Sequence, residues 1–92
     1  MKKRIGTKVY DTETAQLIVK DGRIYYEGDY INGALYMKRT GEFFFVTELV
    51  GHHVPDFHHE WVLLTRNEAS KVEVVADMWG NVDDTKFNEI FG

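Results

Sequence analysis

The stretch Gly33–Gly51, GALYMKRTGEFFFVTELVG, constrains this chain more than any other. Its period-two alternation predicts a β-hairpin, with Leu35, Met37 and Arg39 on one face of the first strand and Ala34, Tyr36 and Lys38 on the other. In the second strand Phe43, Phe45, Thr47 and Leu49 oppose Phe44, Val46, Glu48 and Val50. Arg39-Thr40-Gly41 suits a type I turn closed by a bulge, with Gly41 in the left-handed position that a Cβ would disfavour. Because Phe43–Val46 is apolar on both faces, the strand is expected to be central and covered on both sides.

Around this hairpin the spacing predicts a helix–strand alternation. Thr7–Tyr10 reads as a short strand, followed by Asp11 as an N-cap with Glu13 in the first turn. Tyr10 and Ala15 fall at staple positions, Ala15, Ile18 and Val19 form an apolar stripe, and Lys20-Asp21-Gly22 ends the expected helix. In Arg23–Asn32, Ile24–Tyr26 reads as strand and Gly28-Asp29 as turn, while strand or loop stays open for the stretch as a whole. His52–Glu60 is a loop with the only proline, Pro55, and Trp61–Leu64 a short apolar strand. Thr65-Arg66-Asn67-Glu68 is a capping box, and Ala69, Val72, Val75, Ala76 and Trp79 follow at helical spacing up to Gly80. A last helix starts at Asp83 or Asp84 and turns Phe87, Ile90 and Phe91 inward. The expectation is one α+β domain over residues 1–92. It has the order β-α-β-β-β-α-α, with helices packed on a three- to four-stranded antiparallel sheet.

Composition narrows the chemistry. With 92 residues there is room for one core and little more. No cysteine is present, which excludes disulfides, thiol catalysis and cysteine-ligated zinc. The basic start Met1–Arg4 leads into no signal-length apolar run, and the longest apolar runs, Phe43–Val46 and Trp61–Leu64, are far shorter than a membrane span. These features predict a cytoplasmic protein without a membrane segment. Residues 1–50 hold 8 Lys/Arg against 7 Asp/Glu, and residues 51–92 hold 3 against 8. The acidic half disfavours general phosphate-backbone binding and suits a basic protein partner, although solubility alone also accounts for it.

Four of the five tyrosines, Tyr25, Tyr26, Tyr30 and Tyr36, lie within twelve residues. Tyrosine joins a large rigid contact to a polar tip, so these are the first candidates for partner contact, with Asp77, Asp83 and Asp84 second. All four histidines, His52, His53, His58 and His59, fall in eight residues, with Asp56 and Glu60 as possible oxygen ligands. Imidazole suits zinc, nickel or copper, but their spacing matches no metal motif, so they rank only as weak metal candidates and as a group that titrates between pH 5 and 7. The sole serine, Ser70, sits within the expected second helix, and no phosphate-binding glycine loop occurs. Neither catalysis nor a cofactor is expected. Lys2, Lys3, Arg4 and Lys8, with Lys38 and Arg39, offer an alternative reading: together with the tyrosines they would line a groove for single-stranded nucleic acid.

Val9–Ala15 (VYDTETA), Leu35–Phe44 (LYMKRTGEFF) and the closing Ile90-Phe91-Gly92 resemble a family of small proteins carried by phages, plasmids and conjugative elements of Gram-positive bacteria. The family shows a YDTETA start, an LY-x-K-x-TGE hairpin and a C-terminal "FG". This chain departs from it at Leu49–His53, where the family hairpin often runs into a Gly-Gly stretch. The resemblance implies a mobile-element accessory protein, such as an anti-CRISPR-like inhibitor that occupies the surface of a host defence nuclease. It carries over no catalytic residues. A monomer is expected, or a homodimer if an exposed edge strand pairs with a second copy.

Overall fold

The computed structural model describes residues 1–51, 53 and 55–92. Those residues are 46% strand and 12% helix, which overturns the helix-packed α+β expectation in favour of a mostly antiparallel-sheet chain. The order is β1 (Lys2–Ile5), β2 (Lys8–Asp11), β3 (Gln16–Tyr26), β4 (Asp29–Met37), β5 (Phe43–Thr47), β6 (Trp61–Leu64), α1 (Arg66–Ala69), β7 (Glu73–Val74) and α2 (Thr85–Phe91). Five strands form one sheet in the order β6-β5-β4-β3-β7, and β1-β2 is a separate hairpin. No helix among the described residues is long and apolar enough to cross a membrane.

The β4–β5 hairpin stands where the alternation places it. Gly41 N donates to Lys38 O at 2.9 Å, and Gly41 has φ +96°. All five residues of β5 are buried. Phe43 and Phe45 join Ile18, Val19, Leu35, Val62, Ala69 and Val72 in a core on one face, closed by Phe87, Ile90 and Phe91 of α2. Phe44 and Val46 face the other side, where Tyr10 of the β1–β2 hairpin covers them. Phe44 stacks on Tyr36 at 5.2 Å and on Trp61 at 5.8 Å, with Tyr10 edge-on at 5.4 Å. Gly33 makes this crossing possible: a Cβ there would lie 2.3 Å from the Val46 carbonyl oxygen.

The helix expected after Asp11 is absent. Asp11 does behave as a cap, its carboxylate accepting from Glu13 N at 2.9 Å, but the turn closes at Ala15 N→Asp11 O and goes no further. The chain then enters β3, whose pairing with β4 is irregular between Leu17, Val19 and Gly22. That irregularity lets adjacent Ile18 and Val19 both enter the core, which imitates a helical stripe in the sequence.

The second expected helix is one turn long. Its capping box forms, with Glu68 N donating to Thr65 Oγ1 at 3.1 Å and Thr65 N to a Glu68 carboxylate oxygen at 2.8 Å. Beyond Ser70 the segment Val72-Glu73-Val74-Val75, three of its four residues β-branched, leaves the helix, and β7 pairs with Gly22 and Arg23 of β3. The ladder against β3 outweighs continuation of the helix. α2 begins beside Asp84, as expected, although the Asp84 side chain makes no cap bond.

Candidate protein interface

The stretch Arg23–Asn32 is a strand–turn–strand. Glu27 and Gly28, at φ 50° and 87°, make a two-residue turn that sets Tyr26 opposite Asp29 and Tyr25 opposite Tyr30. Directly opposed residues share a face. Tyr25 and Tyr30 therefore meet, edge to face, with ring centroids 5.1 Å apart, and both remain open to solvent at 66% and 61% exposure. The Arg23 guanidinium lies 5.8 Å from the Tyr30 ring and binds the Glu73 carboxylate of β7 at 2.9 Å. This pair of rings is the largest aromatic contact that the hairpin tip offers.

The other two tyrosines do not join them. Tyr26 points to the opposite face and packs at the edge of the core. Neighbouring Glu27, with desolvation, pushes its hydroxyl pKa up. Tyr36 is stacked on Phe44, partly buried against the second core, where desolvation raises its pKa. The candidate quartet thus divides into an exposed pair, Tyr25 and Tyr30, and two rings partly buried against the two cores, of which Tyr26 also borders the cleft beside the exposed pair.

Beside the tyrosine pair lies a cleft of about 470 Å³, bounded by residues 23–26 and Tyr30 on one side and 62–64 on the other, with Glu68, Lys71 and Glu73 between. Its volume falls in the range of ligand clefts.

Of the acidic candidates, Asp77 ties the loop between β7 and α2, while Asp84 only precedes α2. Asp77 accepts from Trp79 N at 2.8 Å and Asn81 N at 2.9 Å. The Asn81 amide, ahead of the Trp79 amide, holds its carboxyl below the usual range. Asp83 and Asp77 border a shallow recess with Lys20 and Asp21. The turn that Asp77 locks displays Met78 and Trp79 at 88% and 80% exposure. Trp79, expected on the inner stripe of a helix, is instead an exposed knob. Asp77-Met78-Trp79-Gly80 carries a turn signature, aspartate first and glycine fourth, that would have revealed it.

The three described histidines do not converge. His58 spans Asp56 O at 2.6 Å and a Glu60 carboxylate oxygen at 2.7 Å, His59 Nδ1 meets Thr47 O at 2.6 Å, and His53 lies 3.4 Å from Asp56. His52 lies outside the described residues. Among the described residues no group of three or more His, Asp or Glu is arranged to hold a metal. The basic arm is a folded strand: Lys2, Lys3 and Arg4 belong to β1, Lys8 binds Glu42 at 2.9 Å, and the Lys38 ammonium sits 4.6 Å from the Tyr10 ring. Lys38 and Arg39 occupy the β4–β5 turn, at the opposite end of β4 from the tyrosine pair. The cations and exposed tyrosines therefore do not line one groove along β4.

The chain matches no family model, and neither a curated protein nor a solved structure shows significant similarity to it.

Proposed function

We propose that this chain is a non-enzymatic protein-binding accessory protein of a mobile genetic element. Its sharpest form is an inhibitor that occupies a surface of a host defence nuclease. One observation carries the binding reading: a register-locked pair of tyrosines, each about two-thirds exposed, at a tight hairpin tip beside a cleft. Exposed aromatic pairs held on strands lose little entropy when a partner covers them. The acidic second half of the chain supports a basic partner, and the sequence motifs support the mobile-element setting.

The test is affinity capture from lysate of a Gram-positive host, with the wild type and a Tyr25→Ala/Tyr30→Ala variant run side by side. A stoichiometric protein retained by the wild type and lost by the variant is the expected result. Equal retention by both would remove the tyrosine pair. Capture of nucleic acid alone, with steep salt sensitivity, would favour the alternative.

A further inference from the structure

Two strands of the sheet end in unpaired edges that face the same cleft. In the β5–β6 ladder Thr47 N donates to Glu60 O. That register turns the backbone groups of Val62 and Leu64 toward β5, and those of Trp61 and Leu63 away from it. On β3, Val75 N donates to Asp21 O and Arg23 pairs with Glu73, so residues 21, 23 and 25 turn outward. β7 occupies the first two of these positions and stops before the third. Among the described residues, no backbone hydrogen bond reaches the outward groups of Leu63 or Tyr25.

Consecutive residues of a strand point to opposite faces. A cleft bordered by four consecutive residues of β3 and three of β6 therefore looks onto the two strand edges rather than onto a sheet face. We propose that this gap takes an extended segment of a partner protein as an added β-strand, hydrogen-bonded to Leu63 of β6. A strand supplies the repeating donors and acceptors that an edge lacks, and alternate side chains fill the flanking space. Ile24, Tyr26, Leu63 and Leu64 make that space largely apolar. Its charges cancel in pairs of opposite sign, Arg23 against Glu73 and Lys71 beside Glu68. This charge balance fits a segment with little net charge. The proposal rests on the protein-binding reading and names the form of the segment bound.

The experiment selects a phage-displayed library of random seven-residue peptides on the intact protein. The expected winners alternate apolar and polar residues, carry little charge and lack central proline. N-methylation of alternate amides in one phase of the best peptide should weaken it at least tenfold. Leu63→Pro should do the same: the Leu63 N–H lies outside the β5–β6 ladder, so an edge proline there removes the outward donor and leaves the ladder bonds in place. Because N-methylation changes only the peptide, it decides the matter even where Leu63→Pro disturbs folding. No enrichment, or binding indifferent to N-methylation, overturns the proposal. So does a homodimer that Leu63→Pro dissociates, because a second copy would then occupy the edge. If host-protein capture depends on Tyr25 and Tyr30 while no peptide is enriched, the added-strand proposal fails and the tyrosine reading stands.

Discussion

Both ring nitrogens of His58 face acceptors, a backbone carbonyl and a carboxylate, and only the doubly protonated ring donates to both. The Asp56 carbonyl first, and Glu60 second, raise its pKa above 6.5. A raised value favours the charged form in the fold, so its contribution is fully present below pH 6.5 and fades as pH rises through the folded pKa. An NMR titration of His58 should give a midpoint above 6.5, and Glu60→Gln should lower it. A midpoint at or below 6.5 would contradict the geometry. Glu42 shifts the other way, to about 2, held first by the Thr40 hydroxyl and then by Lys8. Gly33 tests the packing: a Cβ at 2.3 Å from the Val46 carbonyl cannot be relieved by moving a side chain alone. Gly33→Ala should destabilise the fold by about 1–3 kcal/mol in a denaturant melt, the range of overpacked cores. An unchanged midpoint would mean that β4 and β5 are not this close.

Elements differ in how openly the sequence announces them. The β4–β5 hairpin is legible because turn chemistry and two-faced apolarity agree at Gly41 and Phe43–Val46. The Thr65 capping box is legible too, yet it marks only where a helix starts; Val72, Val74 and Val75 then follow the strand they can pair with. β3 is hidden because an irregular register buries neighbours Ile18 and Val19 together, which breaks the period-two signal. The tyrosines were visible as candidates. What separates Tyr25 and Tyr30 from Tyr26 and Tyr36 is cross-strand register, a non-local property. This separation is measurable. Tyr25→Ala/Tyr30→Ala should lower the thermal midpoint by only a few degrees, since an exposed cross-strand pair contributes about 0.2–1 kcal/mol. Tyr36→Ala should lower it more, because that ring is partly buried and stacked on Phe44, although the cost falls short of the about 3–5 kcal/mol of a fully buried aromatic. Equal effects would place these three rings in the same environment, against the observed fold.

At the level of the molecule, one sheet carries two cores. The β1–β2 hairpin covers one face, α1 and α2 cover the other, and the tip of β3–β4 projects its tyrosines beside an open edge. Folding and recognition are thereby assigned to different residues: Phe43–Thr47 hold the sheet together, while Tyr25 and Tyr30 contribute little to it and stay exposed. The most direct test is a calorimetric titration of the captured host protein with wild type and with Tyr25→Ala/Tyr30→Ala, alongside melting curves of both. The account predicts at least a tenfold loss of affinity while the melting midpoint falls by only a few degrees and the transition stays cooperative. Equal affinity for the two proteins would contradict it and move the interface away from the hairpin tip.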